Sequence, residues 1–387
     1  MNSTPDKPQP DWDPRSEQVL SDQIKAYDAM RHGCPVAYSD YLGWSLFRHE
    51  DVVQALDDHH TFSSVVSSHL SVPSGMDPPQ HTAYRRLIER HFEPERVERF
   101  EPLCQAISAN LVSGLERGVE IDLVTQLAPL FAVQIQCAFL GWPASLHEPL
   151  LMWVRKNHEA TLIRNTSAMS AIALEFDGYI SELLDARREA GAAAPDDITT
   201  NLLRQKLGDR PLNHEEIVSI LRNWTVGELG TITACVGILG HYVAEHLQLQ
   251  QQLRENLHVL PAAIDEIFRI HAPLISNRRV TTRPVEIDGR RIAAGERITL
   301  MWASADRDEA VFGNSDEFRL DREGTQNLLY GGGIHVCPGA LLARLELRVV
   351  MEELLKSTQQ IALVPGRQPA VASYPASGFS MLPMQIS

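Results

Sequence analysis

Of five widely spaced cysteines, at 34, 104, 137, 235 and 337, only Cys337 stands where a cysteine can do chemistry. It lies in LLYGGGIHVCPGALLARLELRVVMEELL, after glycines 331–333 and His335 and before Pro338 and Gly339. An amphipathic stretch follows, which puts Cys337 at a helix N-terminus. Proline suits the first turn there, because its missing N–H has no intrahelical partner anyway. Free backbone N–H groups and the positive end of the helix dipole favour a thiolate. The glycines let backbone approach a bulky planar ligand closely. The odd cysteine count and the absence of CxxC speak against a disulfide framework or a zinc site. The other four are expected to be buried apolar thiols.

Other reactive side chains fall into short constellations. His81 and Arg85, in DPPQHTAYRRL, are spaced i,i+4 and share a helix face. Glu266 and Arg269, in AAIDEIFRIH, are i,i+3 neighbours able to pair. Arg278 and Arg279 sit together in SNRRVTT. Glu228, Thr231 and Thr233 interrupt a long apolar segment, beside Gly227 and Gly230. Glycine there costs about 1 kcal/mol against alanine, so packing alone does not account for it.

These residues need elements to hold them. The segment with Glu228 begins at Asn213, which forms a capping-box pattern with Glu216, and its apolar periodicity runs to about 246. Such a helix is about 45 Å long and apolar nearly all round, hence buried. Residues 80–186 read as mostly helical, 61–79 as a long Ser/Pro/Gly-rich loop, and 191–197 as a surface linker. Strand-like pieces surround a DG turn in PVEIDGRRIAAGERITLMW, and a helix over 339–357 precedes a β-rich tail. The expected class is mainly α with small β-sheets. Residues 1–20 read as a mobile arm and 21–387 as one domain.

With 44 % hydrophobic and 22 % charged residues, the chain has material for a core able to enclose a cofactor. A net charge of −15 argues against nucleic-acid binding through bulk electrostatics. The polar N-terminus lacks a signal-like apolar region, and no uninterrupted apolar run long enough to span a membrane stands out. The expectation is a cytoplasmic protein with no membrane and no nucleic-acid partner.

The cysteine segment is similar to the haem-binding signature of the cytochrome P450 family, FGxGxHxCxG followed by LAR. Gly331, Gly333, His335, Cys337, Gly339, Leu342, Ala343 and Arg344 match, and Tyr330 replaces the usual Phe. Glu266 and Arg269 match the family's ExxR, which by resemblance locks to Arg319 or Arg322 as a structural device. His81 and Arg85, Arg279 or its neighbour Arg278, and His335 resemble the residues that hold the haem propionates. The resemblance spans about residues 20–385 and implies the cytochrome P450 fold, with haem b (iron protoporphyrin IX) bound through the Cys337 sulfur by the Tyr330–Gly331 loop.

The family's oxygen-binding helix carries an acid immediately before a threonine. Here the run is Gly227-Glu228-Leu229-Gly230-Thr231, so glycine takes the acid's place. The resemblance gives Thr231 the orienting of water and oxygen. Glu228 either feeds protons or turns into a structural hydrogen bond. RNWTVGELGT resembles the branch with thiocarbamate-degrading and reductase-fused enzymes, although no reductase domain is present. By resemblance Val226, Leu229, Leu274, Ile275 and Phe379 line the substrate pocket. Their apolar character suits a small or medium apolar molecule.

The implied reaction is insertion of one oxygen atom from O2, as hydroxylation or oxidative dealkylation, with the thiolate favouring O–O cleavage. Electrons would come from an external ferredoxin or flavodoxin-type donor with its reductase, docked on Arg85, Arg86, Arg90, Arg96 and Arg99. A peroxide-driven peroxygenase is the second reading, from the missing acid. A non-catalytic haem sensor is the third.

Overall fold

The computed structural model describes residues 8–163, 165–322 and 324–387. Helices dominate, with small sheets at the edges. The capping box at Asn213 forms as its spacing predicts. Asn213 Oδ1 accepts from the Glu216 N–H at 2.9 Å, and Glu216 Oε2 accepts from the Asn213 N–H at 2.9 Å. The helix it opens runs His214–Glu245 and is hereafter the long helix. Helices Ala128–Leu140 and Ala340–Ser357 (the last helix) pack against it, as does Leu260–Ile270, which carries the ExxR pair.

The main sheet has five strands in the order Val36–Ser39, Gly43–Leu46, Arg297–Leu300, Asn277–Thr281 and Phe62–Ser63. Arg297–Leu300 runs parallel to Gly43–Leu46, and the other neighbours are antiparallel. The DG turn closes a two-stranded hairpin, Val285–Ile287 with Arg290–Ile292. Asp288 and Gly289 there take φ of 47° and 73°, the left-handed pair that a tight hairpin requires.

One expectation is corrected. Within the described part of the supposed arm, Trp12 packs against Tyr27 and Phe47, and Asp11 accepts hydrogen bonds from the Tyr38 N–H and from Arg290. An indole and a paired carboxylate anchor this stretch to the sheet. Residues 1–7 lie outside the described residues. Leu123–Leu140 and His214–Glu245, although interrupted by polar residues as expected, are long and apolar enough by length and composition to cross a membrane. Over half of each is buried inside the fold (61 % and 56 %), as helices apolar all round must be in a folded core.

Candidate active site

The loop ahead of Cys337 is shaped by positive φ. Gly331 and Gly333 take φ of 72° and 60°, and a Cβ on Gly333 would sit 2.5 Å from the Leu56 carbonyl oxygen. Only glycine fits both demands. The loop is tied back where the Cys337 N–H donates to the Tyr330 carbonyl at 2.8 Å. Tyr330 keeps its ring under the Arg344 guanidinium, 4.4 Å from centroid, a cation–π contact.

The last helix begins at Ala340 with Gly339 as its N-cap, so Pro338 lies in the preceding turn rather than in the first helical turn. The Cys337 side chain is open on one side, but crowding around the sulfur pushes the thiol above its ordinary value. A hydrogen bond from the Gly339 N–H and the charges of Arg85 and Arg344 oppose this, while Glu228 adds to it. The helix-end N–H therefore does not outweigh burial, contrary to the sequence expectation. Coordination by a metal is what displaces such a proton.

Four cationic or imidazole side chains converge nearby. His81 and Arg279 are buried, at 2 % and 4 % exposure, and the His81 and His335 rings lie 4.2 Å apart. Both nitrogens of His81 and Nε2 of His335 are buried without a hydrogen-bond partner among the described residues. Burial, then the charges of His81 and Arg279, pushes His335 down to about 3. Among the described residues the Arg279 guanidinium donates only to the Arg278 carbonyl, and its burial pushes it down to about 10. Strand alternation separates the two arginines, Arg279 pointing inward and Arg278 lying less enclosed. Arg85 donates to Glu89 at 2.7 Å and retains further donors. Buried donors with no internal acceptor fit an anionic ligand carrying two carboxylates, as haem does.

Glu266 and Arg269 pair at 2.8 Å in the interior. The lock is shared between the two candidate partners. The Arg322 side chain donates to Glu266 Oε1 at 2.8 Å, and the Arg319 backbone N–H donates to the same oxygen at 3.1 Å. The Arg319 guanidinium instead binds Asp321.

The long helix offers an open face. A Cβ on Gly227 or Gly230 would meet nothing within 4 Å, and Val226 is 46 % exposed beside them. Thr231 is half-buried, and its hydroxyl has no hydrogen bond among the described residues. Thr233 instead donates to the Leu229 carbonyl at 2.6 Å, a bond within the helix. Glu228 turns away from this open face. Its carboxyl is drawn into the interior, against Glu346 on the last helix and near Cys235, although Gly227 and Gly230 of the open face lie only one and two residues away. Glu346 was missed in the sequence. Its signal is position: it lies four residues after Leu342 and three before Val349, on the buried stripe of that helix.

The five apolar pocket candidates differ in exposure. Val226 and Leu274 are exposed, at 46 % and 44 %. Leu229 is buried against the main core at 2 % exposure. Ile275 and Phe379 instead border a cavity of about 380 Å³ together with His241, His271 and Tyr27. Phe379 lies against the His241 ring at 4.5 Å.

The profile described as Cytochrome P450 matches residues 239–383. A putative cytochrome P450 126 of Mycobacterium tuberculosis is 30 % identical over 346 residues, covering 83 % of this chain and 82 % of its own length. The chain belongs to the cytochrome P450 family. The Vitamin D(3) 25-hydroxylase of Pseudonocardia autotrophica is 30 % identical over 362 residues (88 % of this chain, 87 % of that one). The ligand-free structure of cytochrome P450 TbtJ1 superimposes with a TM-score of 0.85 at 28 % identity, covering 95 % of this chain and 98 % of that one. This P450 is accordingly a haem-dependent monooxygenase with the family fold.

Proposed function

We propose that this P450 binds haem b through Cys337 and oxygenates a small or medium apolar organic molecule, by hydroxylation or oxidative dealkylation. The observation that carries the reading is the set of buried, unclaimed donors at His81, His335 and Arg279 beside a cysteine in a glycine-shaped loop. His81, Arg85, Arg279 and His335 hold the propionates, and the Tyr330–Gly331 turn supports the sulfur. When bound, the haem supplies the oxidant that transfers one oxygen atom to the substrate.

The chain's own contributions are positioning and proton handling. The Thr231 hydroxyl, uncommitted among the described residues, orients water on the open face of the long helix. Gly227 and Gly230 leave room there for a reactant beside the helix, and Val226 and Leu274 present apolar surface that excludes water. Residues 21–387 act as one haem domain in the cytoplasm, with Asp11 and Trp12 of the preceding stretch packed onto it. Electrons come from an external ferredoxin or flavodoxin-type donor with its reductase, and the exposed Arg86, Arg90 and Arg99 offer it a docking face.

The test is a panel of apolar compounds scored by the haem absorption shift on binding, followed by turnover of the hits. Product formed with a ferredoxin, its reductase and O2 supports the reading. Product formed only with peroxide, or a bound ligand that is never converted, overturns it.

A further inference from the structure

Glu228 and Glu346 face each other across the contact between the long helix and the last helix. Glu346 is 0 % exposed. Both of its oxygens, and Oε1 of Glu228, are buried without a donor among the described residues. The titratable groups that feel the pair are Cys104, Cys235 and Cys337, none of them a cation. Arg348, which acts on Cys104, is held by Glu101 and Glu352.

Two carboxylates in such a place cannot both be charged. Each loses its hydration, and their repulsion is weakly screened. Two facing acceptors become a hydrogen bond only when one carries a proton. Burial raises both acids, and Glu346 is raised well above the usual carboxylate range, by burial first and then by the charge of Glu228. The Cys337 charge bears on Glu346 as well, and Glu346 is the more enclosed of the two.

We propose that Glu346 is a neutral acid donating its proton to a hydrogen bond with the Glu228 carboxylate, and that the single buried negative charge so fixed at Glu228 is set against the Cys337 sulfur. The second half rests on Cys337 being the axial ligand. Glu346 is then a positioning residue: it holds Glu228 away from the open helix face. A fixed negative charge near the sulfur opposes arrival of an electron at the iron and lowers its reduction potential.

Infrared spectroscopy of the full chain and the reduction potential of the haem-loaded enzyme test this in E228Q, E346Q and E346L. The wild type and E228Q show a carboxylic-acid carbonyl band that E346Q lacks. Potential rises in E228Q, where the charge is lost, and stays at the wild-type value in E346Q, where a neutral donor replaces a neutral donor. In E346L the donor is gone, Glu228 takes up a proton, and the potential rises as in E228Q. A shift in E346Q without one in E228Q, or no shift in either, overturns the assignment, as does a wild type lacking the band. The infrared result needs no haem. Failure of the haem-thiolate reading would appear separately, as loss of the thiolate spectrum in every variant.

Discussion

The imidazoles of His81 and His335 lie 4.2 Å apart, and three of their four nitrogens are buried with no hydrogen-bond partner among the described residues. Arg279, buried beside them, is answered within those residues only by a backbone carbonyl. Unsatisfied donors at this density are costly unless a ligand meets them. Arg279→Met should therefore weaken haem retention about tenfold or more, since a hydrogen bond to a charged group is worth roughly 1.5–3 kcal/mol. Arg278→Met, at the outward strand position, should leave it near the wild-type value. Haem transfer to an acceptor apoprotein measures both; equal losses would remove Arg279 from the site.

The ExxR pair makes a sharper stability statement. Glu266 accepts from Arg269, from the Arg322 side chain and from the Arg319 N–H. Glu266→Leu leaves Arg269 buried at 2 % exposure without its carboxylate, a loss on the order of 3–5 kcal/mol. Arg322→Met should cost clearly more than Arg319→Met, whose backbone bond survives the substitution. Urea unfolding of the three variants checks the order, and Arg319→Met proving the worst would contradict it.

Much of this arrangement was legible in the sequence, and what was not has a physical cause. The capping box at Asn213, the DG hairpin and the Glu266–Arg269 pair are local, so a spacing of two to four residues fixes them. Glu346 was hidden because its partner Glu228 lies on another helix, far away in the chain, and a glutamate in an amphipathic helix ordinarily faces water. The fate of the pocket residues was hidden for a similar reason. Leu229 and Val226 are adjacent types on one helix, and only packing decides that the first enters the core and the second does not. Trp12 looked like part of a free arm because its neighbours are proline and aspartate, and its anchor depends on Tyr27 and Phe47 arriving from elsewhere.

Thr231 and Thr233 lie two residues apart on the long helix and differ in commitment. Thr233 spends its hydroxyl on the Leu229 carbonyl, whereas Thr231 keeps its own free of the helix. Thr231→Ala should reduce product formed per reducing equivalent several-fold and raise the share lost as peroxide, because proton delivery at the open face is impaired. Thr233→Ala should leave that ratio unchanged. Parallel assays of product, peroxide and NAD(P)H consumed decide it, and equal behaviour of the two variants would dismiss Thr231.

The long helix carries a pH signature at its start. Hydrogen bonds from Arg210 lower Glu216 to about 2, against the opposing effect of burial, with Tyr84 and the Asn213 N–H assisting. A carboxyl depressed from 4.5 to about 2 contributes stability above pH 4.5 that drains away as pH falls toward 2. Arg210 is half exposed, so solvent screening keeps the effect modest. In Glu216→Gln the stability curve should be flatter across that window. Thermal unfolding from pH 6 downward (roughly two units either side of the unfolded carboxyl value) reads the difference. Parallel curves for the two proteins would refute it.

The sulfur of Cys337 is the centre of the account, and the spectrum of the reduced, carbon-monoxide-treated protein tests it most directly. The wild type should show the red-shifted Soret band that a thiolate ligand produces, and Cys337→His should bind haem yet lose that band. A wild type that takes up no haem, or a Cys337→His variant that retains the band, would contradict the assignment.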